Sequence, residues 1–167
     1  AYFQQEVNYT IHVTLDDKAH TLTGDIAFEY INHSPDVLPE IWVHLWPNAF
    51  KNKRSAYCKQ TLRQGSGKFY FAADSSLGRI KLLDFMANGS KIAWEYDKNN
   101  PDIARIQLAQ PLQPGSRVTI STPFQVKVPA SFSRLGHVGT SYQMTQWFPK
   151  PAVYDREGWH AMPYLNQ

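Results

Sequence analysis

An all-β fold of antiparallel strands is what this chain predicts, and three observations carry the prediction. Long runs such as Tyr9-Thr-Ile-His-Val-Thr-Leu15 and Arg117-Val-Thr-Ile-Ser-Thr-Pro-Phe-Gln-Val-Lys-Val128 place apolar side chains at every second position, the period of a strand with one covered face. Turn chemistry punctuates these runs at short intervals, most clearly at Asn88-Gly89 and Pro114-Gly115. Almost nowhere do apolar residues recur with the 3.6-residue period of a helix. About eight strands at short spacing point to an antiparallel sheet or sandwich.

Each element follows from its residues. Tyr9, Ile11, Val13 and Leu15 share one face of a first strand, and Asp16-Asp-Lys-Ala19 is a polar turn. Thr21 to Asn32 alternates again through Leu22, Ile26, Phe28 and Tyr30, with Gly24 marking a bulge. The two runs make a hairpin with one wet face. After the His33-Ser-Pro-Asp36 break, Glu40-Ile-Trp-Val-His-Leu-Trp46 is nearly continuous in apolar residues, as suits a central strand. Periodicity then fails to Ser76; a short helix fits between Asn48 and Leu62, and Gln64-Gly-Ser-Gly67 is a flexible loop. Strands resume over Gly78–Ala87 and Lys91–Tyr96, joined by Asn88-Gly89, where both residues tolerate positive φ. Asp97 to Pro101 turns the chain into Ile103–Leu108, and Pro111 to Gly115 turns it into Arg117–Val128. In that last strand Pro123 belongs at an edge or a bulge, since it has no N–H for a ladder.

Composition narrows the function classes. With 167 residues, 43% of them apolar and 14% aromatic, the chain can bury one sizeable core. Net charge is +3, and the only basic cluster is Lys51-Asn-Lys-Arg54 beside Lys59 and Arg63. Without a basic stripe or stacking platform, that cluster is a solvated loop and not a nucleic-acid surface. The single cysteine, Cys58, excludes an internal disulfide and a Cys-rich metal site, leaving a free, partly buried thiol. No apolar run approaches the roughly 18–20 residues that span a bilayer.

Catalytic motifs are missing. The six histidines include no His-Glu-x-x-His and no pair at ligand spacing beside a carboxylate, so His12 and His44 are expected to be exposed or half-buried strand residues. There is no Gly-x-Ser-x-Gly, and Gly65-Ser-Gly67 is too short to cradle a phosphate. Asn8-Tyr-Thr10, Asn32-His-Ser34 and Asn88-Gly-Ser90 have the glycosylation pattern, but strand and turn chemistry explains them.

The closing stretch, Tyr142 to Tyr164, concentrates six aromatics, three prolines and both charge signs with no period of 2 or 3.6. It is expected to be irregular and too apolar for a disordered tail. Gln146, Trp147, Tyr154, Asp155, Arg156, Trp159 and His160 supply amide, aromatic, acidic and basic groups there, the mixture found in ligand pockets and interfaces. Closure of the core is the alternative use of the same residues. The chain stops three residues later, which is the expectation for a piece of a larger protein whose loop faces the missing part.

Two sets of residues give the chain a relative. Tyr9-Thr-Ile-His-Val-Thr-Leu15, Leu22-Thr-Gly-Asp-Ile-Ala-Phe28 and Ile41-Trp-Val-His-Leu45 resemble the opening strands of the M1 family of zinc aminopeptidases, the gluzincins that include leukotriene A4 hydrolase. Gly139-Thr-Ser-Tyr-Gln-Met-Thr-Gln-Trp-Phe-Pro149 followed by Asp155-Arg-Glu-Gly-Trp159 is similar to a bacterial branch of that family. The resemblance implies that residues 1–167 are a single amino-terminal domain, an all-β saddle-shaped sheet or sandwich that covers a thermolysin-like catalytic domain. It further implies that Gln146, in the Thr145-Gln146 pair, lines the pocket for the amino terminus of a peptide substrate. Trp147, Tyr154 and Asp155 are weaker candidates for the same wall. An amide suits the task because it both donates and accepts.

The family's Ala-Arg-x-x-Phe-Pro-Cys continuation is replaced here by Trp147-Phe-Pro-Lys-Pro-Ala-Val-Tyr-Asp155, and no Gly-x-Met-Glu-Asn is present. The resemblance therefore implies no catalytic residue, no metal ligand and no cofactor in this chain, with zinc held by the parent enzyme. Its implied partners are the parent's catalytic domain and a peptide. The branch it resembles implies the bacterial periplasm or cell envelope. A free-standing β-sandwich that stacks Trp147, Tyr154 and Trp159 on sugar rings, or that binds a protein, is the rival reading; a purely structural spacer is the third.

Overall fold

The computed structural model describes residues 1–166. Two antiparallel sheets face each other. In the first, β1 (Glu6–Asp16) pairs β2 (Thr21–Ile31), and β2 pairs the long β9 (Arg117–Lys127). The far side of β9 takes β4 (Arg79–Lys81) at one end and β5 (Met86–Ala87) at the other, with β6 (Ser90–Lys91) outside β5. The second sheet has the order β12 (Lys150–Pro151), β3 (Leu38–His44), β8 (Ile103–Leu112), β7 (Trp94–Tyr96). Alternation decides which residues meet between them. Ile26, Phe28 and Tyr30 of β2 and Ile120, Phe124 and Val126 of β9 point inward onto Ile41 and Val43 of β3 and Ala104 and Ile106 of β8. This is the antiparallel all-β sandwich that the sequence predicts.

A second, smaller core lies beside the sandwich. The 3-10 helix Trp46–Phe50 and helix α1 (Ala56–Arg63) bring Phe50, Tyr57 and Cys58 onto Phe69, Leu135 and Tyr164. Helix α1 starts where Ser55 accepts the Cys58 N–H, a normal N-cap. It occupies the end of the region where a helix was expected, and the thiol of Cys58 is fully buried where partial burial was expected.

Several local expectations are corrected. Gly24 marks no bulge: β1 and β2 pair from Glu6↔Ile31 to Asp16↔Thr21 without a register shift. A Cβ at Gly24 would lie 1.9 Å from the His12 carbonyl oxygen, so close backbone approach explains the glycine. Pro123 is not at an edge, since it pairs Asp25 in the middle of the sheet. Its missing donor is tolerated where the outer flank of β9 has a gap between the β4 and β5 pairings. The strand expected over Gly78–Ala87 is cut in two at Leu82, whose φ is 64°; within the gap the Asp84 N–H bonds the Thr122 hydroxyl at 2.8 Å. The strand expected over Lys91–Tyr96 is likewise divided, β6 staying in the first sheet while β7 joins the second. The Asn88-Gly89 turn is as expected, with φ of 49° and 83°.

Candidate functional site

The closing segment is more regular than its residues suggested. β10 (Leu135–Val138) and β11 (Ser141–Met144) form one hairpin, β12 attaches to β3, and β13 (Val153–Asp155) pairs β14 (Gly158–His160). Ladders of two to four residues are too short to display a period, which is why the sequence concealed them.

The β10–β11 hairpin delivers Thr145 and Gln146 and is tied at both ends. Near its tip, the His20 and His137 rings stack with centroids 3.7 Å apart, and Tyr142 Oη lies 2.6 Å from His20 Nδ1. His20 sits in the β1–β2 turn, 122 residues from Tyr142, so no local pattern could have linked them. At the base, the Thr145 hydroxyl donates to the Arg134 carbonyl at 2.7 Å. The next residue, Gln146, adopts φ of 61°, a left-handed conformation that non-glycine residues seldom take. Its side chain is half-buried and makes no hydrogen bond among the described residues.

Trp147 and Phe148 then turn toward the sandwich. Trp147 lies 6.0 Å from Phe124 and 5.2 Å from Phe148, whose edge meets Tyr9 at 5.4 Å. Farther along, Tyr154 packs edge-on against Trp159 at 5.0 Å, and Trp159 lies 6.1 Å from Tyr30. The aromatic faces therefore serve largely to close the sandwich. Tyr154 donates its hydroxyl proton to Asp36 at 2.7 Å. Burial and that acceptor push the phenol up to about 12. Asp155 accepts the Glu157 N–H and lies 2.9 Å from His160 Nε2. This pairing holds the carboxyl below its usual range and raises the imidazole.

Two clefts flank Tyr154 and Asp155. One, of about 350 Å³, runs between Phe3, Gln5, Tyr30, Pro151 and Tyr154. The other, of about 730 Å³, opens between Ala1, Pro35, Asp36, Asp155 and Arg156. Gln146 and Trp147 line neither of them. The structure thus separates the four candidates: Gln146 and Trp147 belong with the β10–β11 hairpin, Tyr154 and Asp155 with the β13–β14 hairpin.

His44 is buried where an exposed or half-buried residue was expected. Its Nε2 accepts the Met162 N–H at 3.2 Å and its ring stacks on Trp46 at 4.6 Å. Burial, then the nearby Lys150, pulls it down to about 4. His12 is exposed beside Asp25. Among the described residues no three His, Cys, Asp or Glu side chains converge as a metal site would require, so the side chains present do not fit a zinc ion. Nor, among the described residues, is any helix long and apolar enough to cross a membrane.

No family model matches the chain, and no curated protein does. Solved structures do. One M1 zinc metallopeptidase from Deinococcus radiodurans is similar over 77% of this chain at 15% identity, with a TM-score of 0.47. Another structure of an M1 zinc metallopeptidase from that organism is similar over 81% at 15% identity, with a TM-score of 0.49. A two-domain M1 zinc metallopeptidase bound to L-arginine is similar over 81% at 14% identity, again at 0.49. This chain spans only 22–25% of the length of those proteins.

Proposed function

We propose that this chain is the amino-terminal domain of an M1-type zinc aminopeptidase, resting on the catalytic domain and forming one wall of its substrate cleft. The observation that carries the reading is the Thr145-Gln146 pair, which matches the family motif in sequence and projects from a hairpin anchored at both ends. Gln146 combines a left-handed φ of 61° with an amide free of hydrogen bonds to other described residues. Strained backbone of this kind persists where surrounding structure imposes it and gathers at ligand sites. A fixed amide next to a peptide's first residue accepts from the ammonium and donates to the carbonyl.

A second feature suits the partner. The inward-facing side chains at the edge of the first sheet, Tyr9, Val13 and Leu15, remain 41%, 42% and 43% exposed. Such a strip fits burial against another domain. The sugar-stacking alternative loses support because Trp147 and Trp159 spend their faces on the sandwich.

The test is peptidase activity of the full-length protein on aminoacyl-naphthylamides, beside Gln146→Ala. Chelator-sensitive activity with KM raised about tenfold or more in the variant is the expected result, since one charge-assisted hydrogen bond is worth about 1.5–3 kcal/mol. Unchanged KM and kcat in Gln146→Ala would remove Gln146 from the pocket. A folded, zinc-loaded parent without activity would remove the enzyme assignment.

A further inference from the structure

A basic cleft of about 280 Å³ opens on the outer surface, away from the closing segment, between Lys51, Asp74, Leu77, Gly78, Arg79 and Lys127. Three chain segments build it. Lys51 follows the 3-10 helix Trp46–Phe50, Asp74 begins the short 3-10 turn Asp74–Ser76, and Arg79 and Lys127 come from β4 and β9. Gly78 lets the 74–78 segment lie close on β9, because a Cβ there would come within 2.7 Å of the Lys127 carbonyl oxygen. The Lys127 amine donates to the Ser75 carbonyl at 3.2 Å.

The charges are arranged against the fold's own interest. Arg79 and Lys127 stand directly opposite each other in the ladder, where like charges destabilise a sheet. Neither they nor Lys51 forms an ion pair with a carboxylate among the described residues. Three cations around one carboxylate leave a surplus of two positive charges in the cleft. The neighbouring Lys53 is used otherwise, its amine donating to the Phe69 and Ala72 carbonyls, so the basic run divides into a structural member and a cleft member.

We propose that this cleft binds a phosphate group, free or carried on a small ester. A phosphate ester carries about −1.5 to −2 charges at pH 7, which approaches the surplus; a single carboxylate would leave it half compensated. The planar fork of Arg79 suits two oxygens of a tetrahedral anion, and the two lysines act as point charges on the remainder. Binding would also relieve the repulsion between β4 and β9.

Thermal unfolding of the chain at pH 7.5 tests this, with phosphate compared against chloride and acetate at matched ionic strength. Phosphate at ten times its dissociation constant is expected to raise Tm by about 3–6 °C over chloride. Arg79→Gln and Lys127→Gln should both abolish that increment. Arg79→Gln should leave the phosphate-free Tm equal or higher because it removes the facing like charges, whereas Lys127→Gln also gives up the bond to the Ser75 carbonyl. Should either variant fold poorly, Lys51→Gln lies outside the ladder, and loss of phosphorus-31 line broadening reports the same site. Phosphoserine and inorganic phosphate, titrated separately, tell an ester from a free ion: tighter binding of the ester assigns the former, equal binding the latter. The proposal is overturned if chloride or acetate stabilises as well as phosphate, or if the increment survives in Arg79→Gln and Lys127→Gln. It is also overturned, in favour of a protein partner, if an oligoglutamate peptide binds more tightly than either phosphate.

Discussion

Asp102 shows how a single buried carboxyl governs the attachment of the closing segment. It is 2% exposed, and its Oδ2 accepts the Tyr164 N–H at 2.7 Å. Burial outweighs this hydrogen bond and raises the acid to about 6. A carboxyl whose folded pKa exceeds its unfolded value binds protons more tightly in the folded state. Its contribution is therefore present below about pH 4 and is lost as pH rises through about 6. Asp102→Asn keeps an oxygen to accept the Tyr164 N–H without burying a charge. The variant is expected to gain about 2 kcal/mol over the parent at pH 7.5 and to match it at pH 4, as read by urea unfolding at both values. A parent more stable than the variant at pH 7.5 would contradict this account. His44 works in the opposite sense: its depressed value of about 4 means that its contribution is full at neutral pH and fades as pH falls below about 6.5.

Among the elements, the long strands were legible and the short ones were not. β2 and β9 carry enough alternating positions for the pattern to name the buried face, and Asn88-Gly89 named its own turn. β1 alternates as clearly, yet its apolar face stays largely exposed at the sheet edge. The breaks at Leu82 and between β6 and β7 were hidden because the apolar residues continue through them. The histidine stack that steadies the β10–β11 hairpin was hidden for another reason, since its members come from distant parts of the chain. Within the closing segment, residue types could not separate Gln146 and Trp147, on one hairpin, from Tyr154 and Asp155, on another. Packing favours core closure as the use of Trp147, since it contacts both buried cores. Trp147→Ala is expected to cost about 3 kcal/mol or more and to lower Tm by about 6–12 °C. A Tm change under 2 °C would mean that the ring is free to stack on a ligand.

At the scale of the molecule the two cores either unfold as one unit or separate, and Cys58 can report which. The sandwich and the smaller core share Met144 and Trp147 as packing partners. They are also joined by polar links: Asn48, beside Phe50, accepts the Ile80 N–H and donates to the Pro101 carbonyl. Among the described residues the smaller core contains seven buried side chains, too few to hold a separate domain without the sandwich. Both arguments favour a single cooperative transition. Cys58 is fully buried, and burial raises its thiol, so a thiol reagent must wait for opening. Labelling in increasing urea is expected to follow global unfolding, with the same midpoint and the same slope as the loss of tryptophan fluorescence. Labelling that begins well below that midpoint, with a shallower slope, would show that the smaller core opens while the sandwich stays folded. The hairpin carrying Gln146 would then be anchored to a movable part, and its strained backbone would need another source of support.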